Sequence, residues 1–327
     1  VPRIVPQRPT PYADVQTVGI PRALLYHRYA ALWTTFFEQL GRTVVLSRPT
    51  DRAVVARGEG LSVDECCLAS KAYMGHVADL VGRCDAVFVP SVADLGVNRQ
   101  FCTKFHALPD MVANTFPGQV RVLSCRVAEQ AEKAPLKDAF FNLALDFGTD
   151  LRTAKRAVDE ALRAQERHDR QTGRATEAKL AAYAAEPGGV TILVAAHPYI
   201  AHDQHLGGAV SDLLHAAGAH AVNACDCDLE RCYAACQDFS QTMPWLVNRE
   251  LIGAILRFGD RVDGIVLVSA FPCGPDSMTD DAIMRCIKGT PILNLTIDAQ
   301  SGTAGLETRV ESFVDILRYQ KQGGYVK

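Results

Sequence analysis

No run of about 18 consecutive apolar residues occurs in the chain, so no membrane-spanning helix is expected. An excess of one charge is missing too: 34 basic against 37 acidic residues leave −3, and no basic stripe stands clear of matching acids. That balance excludes nucleic acid and a charged membrane surface as expected partners. The phosphate-cradling run Gly-x-x-x-x-Gly-Lys-[Ser/Thr] is absent, so no nucleotide site is expected, and no two cysteines stand in a Cys-x-x-Cys pair. Residues 1–14 carry prolines and arginines but no apolar core of a signal peptide, and are expected to form a flexible or strapping arm.

Cysteine is what the chain has in quantity, 11 among 327 residues. Disulfide-framed secreted domains are small and loop-rich, whereas this chain is long enough for two domains, with 48% hydrophobic and 22% charged residues. Reduced thiols in a cytoplasm are therefore the expectation.

The patterning alternates between strand and helix. Short apolar strands are expected at 15–20, 43–47, 86–89 and 120–123. Between them, helical spacing runs over 22–40, from a cap at Ser62 or Asp64 through Leu80, and over 105–113. After Pro187-Gly188-Gly189 the alternation restarts, with strands at 190–195, 220–224, 264–268 and 292–297 and helices at 206–217, 245–258, 280–286 and 306–319. This order predicts an α/β protein: two flavodoxin-like open parallel-sheet domains of similar topology, at 15–147 and 188–327. Residues 148–187, rich in Ala, Arg, Glu and Lys, are expected to be a helical connector, either a helix pair or one helix interrupted at Gly173. A cleft between the domains is the default place for a site.

Three cysteines are expected in loops that face this cleft. Cys273 follows the uncharged run Ile265–Val268, and Pro272, Gly274 and Pro275 prevent the strand from continuing. It should stand at the carboxyl end of a parallel strand. Cys67 lies at the amino end of a helix, where backbone amides favour a thiolate. Cys102 follows the third strand of the first half, as Cys273 follows that of the second. Soft thiolates from separate loops suit an iron–sulfur cluster, and three of them leave one iron open; the alternative is that each packs as a small apolar side chain. Cys66 doubles Cys67. Cys225, Cys227, Cys232 and Cys236 form a second group whose spacing suits another metal centre or buried packing. Cys84, Cys125 and Cys286 are expected in the core. His197 and Glu65 are candidate proton-transfer groups. Arg22, Lys71 and Lys104 are candidate cations for a cluster or a phosphate, and Asp276 a candidate helix cap.

Val18-Gly19-Ile20-Pro21-Arg22-Ala23-Leu24-Leu25-Tyr26, Leu61-Ser62-Val63-Asp64-Glu65-Cys66-Cys67-Leu68, Cys102-Thr103-Lys104-Phe105, His197-Pro198-Tyr199 and Cys273-Gly274-Pro275-Asp276-Ser277 occur in that order. This succession resembles the acyl-CoA dehydratase activase-related proteins, relatives of 2-hydroxyacyl-CoA dehydratase, benzoyl-CoA reductase and double-cubane cluster proteins. The resemblance implies a cluster held by three cysteines per subunit, carried over onto Cys67, Cys102 and Cys273. It implies a [4Fe-4S] cluster or, as the alternative, a double-cubane [8Fe-9S] cluster. It also implies electrons from a separate ATP-hydrolysing activase with its own cluster, and pairing as a homodimer. Where relatives tend to carry Asp-Glu-His after the last strand, this chain has Asp298-Ala299-Gln300. A reductase, a 2-hydroxyacyl-CoA dehydratase-like enzyme and a non-catalytic electron relay or scaffold are all compatible with these motifs.

Overall fold

A computed structural model of the chain describes residues 8–299 and 303–324. In chain order its strands are β1 (Thr17–Ile20), β2 (Thr43–Leu46), β3 (Ala86–Phe88), β4 (Ser91–Asp94), β5 (Val122–Leu123), β6 (Arg126–Ala128), β7 (Val190–Ala196), β8 (Ala219–Asn223), β9 (Gly264–Ala270) and β10 (Ile292–Ile297). Its helices are α1 (Tyr26–Gln39), α2 (Arg52–Glu59), α3 (Leu68–Leu80), α4 (Thr103–Thr115), α5 (Glu129–Glu132), α6 (Leu136–Asp146) and α7 (Leu151–Ala184). There follow α8 (Pro198–Ala201), α9 (Ala209–Ala216), α10 (Leu229–Ala235), α11 (Leu246–Phe258), α12 (Gly274–Cys286) and α13 (Thr303–Lys321).

These elements form two compact units. The first gathers the described residues up to 21 with 29–48 and 77–166; the second gathers 22–28, 49–76 and the described residues from 167 onward. Each unit holds one four-stranded, all-parallel sheet, ordered β2-β1-β3-β5 in the first and β10-β9-β7-β8 in the second. In both, the first strand lies between the second and the third, with the fourth outside the third, which is the flavodoxin-like order. The two halves are therefore α/β domains of one topology, as the alternation of apolar runs predicts.

The reason for parallel pairing is visible in the central strands of the second unit, β7 and β9, where every residue is buried. Strands covered on both faces need apolar side chains on both, which Val190–Ala196 and Gly264–Ala270 supply apart from Thr191 and Ser269. In the first unit the core is aromatic. Phe88 of β3 meets Trp33, Phe37 and Phe140 with ring centroids 5.2, 5.0 and 6.0 Å apart, all close to edge-on.

Of the expected arm, residues 1–7 lie outside the described residues. From Arg8 onward the segment is a strap on the first unit: Arg8 Nη2 donates to Asp146 Oδ1 at 3.0 Å, and Arg121 Nη1 to Asp14 Oδ2 at 2.7 Å. The connector is a single 34-residue helix, α7, that continues through Gly173. Gly173 stays helical because it is needed for close approach: a Cβ there would lie 3.3 Å from the backbone of Asp228.

Helices α10 and α11 of the second unit touch more closely still. A Cβ on Gly253 would fall 1.6 Å from the Cys232 carbonyl oxygen and 2.4 Å from its carbon. Gly253→Ala must push the two helices apart, and is expected to cost about 2–3 kcal/mol. A reduced midpoint in urea unfolding measures it, and an unchanged midpoint refutes it.

Candidate metal centre

The three sequence-marked thiols share one local placement. Cys102 and Cys273 are the N-cap residues of α4 and α12. Cys67 directly precedes α3, and its carbonyl accepts the Lys71 N–H at 3.0 Å, the first helical bond. All three are half-buried. Helix α3 starts later than a cap at Ser62 or Asp64 implies, because 62–67 is a chain of turns that leaves Cys67 itself at the helix start.

Cys67 and Cys273 both belong to the second unit, whereas Cys102 belongs to the first. The Leu68 N–H donates to the Phe271 carbonyl at 2.9 Å, so the start of α3 is tied to the turn that ends β9. The two sulfurs consequently sense one another. Burial, then the Asp276 carboxylate, push the Cys273 thiol well above its usual range, and Cys67 adds in the same direction. Cys273 faces an open depression of about 410 Å³ that Phe271, Ser277, Asp280, Asn294 and Thr296 also line.

Beneath this turn lies a buried polar network that the sequence does not announce. His197 caps α8 at the end of β7, and its Nε2 stands 2.9 Å from Asp276 Oδ1, an ion-pair distance without hydrogen-bond alignment. Asn248 Nδ2 donates to Asp276 Oδ1 at 2.9 Å and to Thr279 Oγ1 at 3.0 Å. Asp276 is thus not the helix cap; Cys273 occupies that position, and the carboxylate turns inward from the first turn of α12. Burial works against ionised His197, but Asp276, helped by Asp280 and Asn248, outweighs it and raises the imidazole above its ordinary value. Burial likewise opposes ionised Asp276, and His197, Asn248 and Cys273 together hold its carboxyl below the ordinary value.

Asp280 is the functional candidate that sequence reasoning missed. Burial pushes its carboxyl up to about 6, against a 2.7 Å hydrogen bond from Ser269 Oγ and with help from the Asp276 charge. A carboxyl one helical turn beyond Asp276, opposite a strand serine, has no local sequence signal. Glu65 is exposed on the turn ahead of Cys66, and Cys66 is buried. Arg22, Lys71 and Lys104 are each half-buried. Of the three cysteines expected in the core, Cys125 is buried and Cys84 half-buried, but Cys286, the last residue of α12, is exposed. Asp298 follows β10, and Gln300 lies outside the described residues.

The second cysteine group does not converge on one point. Cys225 stands beside His202 and Asp226. Cys227 Sγ instead donates to the Asn223 carbonyl at 3.9 Å, and the neighbouring Cys227 thiol, with the Arg257 guanidinium 3.5 Å from the sulfur, holds Cys232 below the usual thiol range despite burial. Cys236 is fully buried at the end of α10.

A family model described as the CoA enzyme activase uncharacterised domain matches residues 17–225. That span includes Cys66, Cys67, Cys102 and His197 and stops ahead of Cys273. No curated protein matches the chain. Among solved structures it is similar, at 12% identity and a TM-score of 0.25, to a mutant Mn-bound periplasmic metal binding protein from Candidatus Liberibacter asiaticus, over 92% of this chain and 99% of that one. It is also similar, at 12% identity and a TM-score of 0.21, to glucosamine-6-phosphate deaminase from Thermotoga maritima, over 94% of this chain and 86% of that one. No helix among the described residues is long and apolar enough to cross a membrane.

Proposed function

The chain belongs to the CoA enzyme activase uncharacterised domain family, and from that membership we propose that it is an iron–sulfur protein of the 2-hydroxyacyl-CoA dehydratase and benzoyl-CoA reductase superfamily. In this reading it receives low-potential electrons from a separate ATP-hydrolysing activase and reduces or dehydrates a small substrate. The proposed ligands are Cys67, Cys102 and Cys273, and the proposed group is a [4Fe-4S] cluster or a double-cubane [8Fe-9S] cluster.

The observation that carries the reading is the 2.9 Å bond from Leu68 N–H to Phe271 O, which brings two thiol-bearing helix starts together in one unit. The donor set fits the group: the Cys273 thiol, which resists ionisation beside Cys67, is a soft ligand, and a bound metal removes that resistance by taking the place of its proton. When bound, such a cluster supplies one-electron chemistry, and three cysteines leave one iron without a protein ligand. The chain's own residues do the rest. The Asp276 N–H reaches the Cys273 sulfur and steadies it. Asp280, titrating near 6 on the wall of the same depression, holds a proton for transfer. His197 keeps Asp276 ionised and in place.

Anaerobic reconstitution followed by iron and sulfide counting and EPR tests the proposal. About four irons per chain indicate one cubane and about eight the double cluster. A Cys67→Ala, Cys102→Ala, Cys273→Ala triple variant that still takes up a full cluster overturns the ligand set.

A second reading, a cluster-carrying electron relay that docks on another catalytic subunit, is favoured by the family description itself, which names an activase rather than an acyl-CoA enzyme. Turnover with activase, ATP and reductant, in the absence of any further subunit, contradicts it.

A further inference from the structure

His202, Cys225 and Asp226 bring an imidazole, a thiol and a carboxylate together with their ligand atoms all within 4.8 Å of one another. His202 follows α8, and Cys225 and Asp226 lie in the single turn after β8, so all three stand beyond the carboxyl ends of adjacent parallel strands. That edge is where open α/β sheets bind ligands. His202 Nε2 is 2.8 Å from Asp226 Oδ1 and 3.7 Å from Cys225 Sγ, and Cys225 Sγ is 3.9 Å from Asp226 Oδ1.

Tetrahedral zinc, with bonds of about 2.0–2.3 Å to nitrogen, oxygen and sulfur, sets its ligand atoms roughly 3.3–3.6 Å apart. The two edges to sulfur are within a few tenths of an ångström of that spacing. The third edge is short because a hydrogen bond occupies it, and it lengthens when a cation replaces the shared proton. The other oxygen of Asp226 accepts from Asn223 Nδ2 at 3.3 Å, which leaves Oδ1 as the single coordinating atom.

The three atoms border a cavity of about 40 Å³, which His27, Arg28, His168 and Cys227 also line. This exceeds the roughly 10–15 Å³ that one water needs, so a water-sized donor fits beside the three protein ligands. His27 Nε2 donates to the Arg22 carbonyl at 3.2 Å, so its ring is fixed. The Arg28 charge is matched by Glu250, 2.5 Å away.

We propose that His202 Nε2, Cys225 Sγ and Asp226 Oδ1 form a binding site for one divalent cation of the zinc class, whose fourth position opens to this cavity. Binding displaces the Cys225 thiol proton and opens the His202–Asp226 hydrogen bond. One nitrogen, one sulfur and one oxygen suit a borderline cation, and three protein ligands with an open fourth position are the pattern of a reactive rather than a sealed zinc site. The site uses none of the three cysteines assigned to the iron–sulfur reading and stands or falls separately from it.

Cobalt titration of the full chain, stripped with a chelator and kept reduced, tests it. The parent for the titration carries Cys67→Ser and Cys273→Ser, so that a missing iron–sulfur site does not affect the result. One equivalent of Co2+ should give a thiolate-to-cobalt charge-transfer band and a tetrahedral ligand-field spectrum, and Zn2+ should abolish both. Adding Cys225→Ser should remove the charge-transfer band, and His202→Gln, at a partly exposed position, should weaken Co2+ binding at least about tenfold. Cys227→Ser should leave the band in place. A band that survives Cys225→Ser, unchanged affinity in His202→Gln, or loss of the band in Cys227→Ser alone overturns the assignment. His202→Gln, with its melting temperature checked, decides the matter if Cys225→Ser fails to fold.

Discussion

Replacing Glu250 by alanine is expected to destabilise the protein by about 3–5 kcal/mol, the largest loss of any single side-chain truncation considered. Glu250 sits on α11 with its side chain 3% exposed, and it grips Arg28, 12% exposed, through two bonds: Nη1 to Oε2 at 2.5 Å and Nη2 to Oε1 at 2.7 Å. A guanidinium cannot shed its proton when its partner is removed, so Glu250→Ala leaves a largely buried cation without this carboxylate. Glu250→Gln keeps the shape and one acceptor and should lose less. The double variant Arg28→Met, Glu250→Leu should recover most of the loss, because apolar replacement of both partners is often neutral or stabilising. Urea unfolding of the parent, Arg28→Met, Glu250→Leu and the double variant makes a double-mutant cycle. If Glu250→Ala unfolds within about 1 kcal/mol of the parent, the pair is solvated and the argument fails.

Much of the fold is legible in the sequence because parallel strands advertise themselves. Ile265–Val268 carries no polar residue, and Pro272 with Gly274 fixes where the strand must end, so both β9 and the placement of Cys273 follow from local chemistry. Helix α2 is missed because its eight residues bury only Val54, Val55 and Gly58, too few for a periodic signal, while Gly58 and Gly60 read as turn residues. Its real signal is Asp51, whose side chain accepts the Val54 N–H at 2.7 Å. Gly173 reads as a break, and only the closeness of Asp228 shows why a glycine belongs inside that helix.

The site is less legible than the fold. The thiols stand out because cysteine is a rare residue type with few reasons to occur before a helix. The partners that hold them do not. His197, Asn248, Asp276, Thr279 and Asp280 come from three separate segments, and their meeting depends on β7 and β9 being neighbours in the sheet. Likewise the spacing of Cys225, Cys227, Cys232 and Cys236 invites a four-sulfur reading. In the fold Cys225 turns instead toward His202, 23 residues earlier in the chain, a distance over which no motif operates.

The pH dependence of stability follows from the His197–Asp276 pair in metal-free protein. His197 has a folded value raised above its ordinary 6.5, so its contribution is fully present below that pH and is lost as pH rises through the folded value. Asp276 has a folded value lowered from its ordinary 3.8, so its contribution is present above that pH and is lost as pH falls through the folded value. Both act at full strength between about 4 and 6.5, the interval set by the two unfolded-state values. Asp276→Asn should therefore cost about 3 kcal/mol near pH 5.5. The gap to the parent should narrow as the pH is raised through the folded value of His197, because burial alone then favours the neutral imidazole that both proteins carry. His197→Gln should remove the same pH dependence, and the two substitutions together should cost much less than their sum. Urea midpoints between pH 5 and 9 read all of this. A gap that widens with pH would mean that His197 is neutral in the folded protein and that Asp276 is held by Asn248 and Cys273 instead.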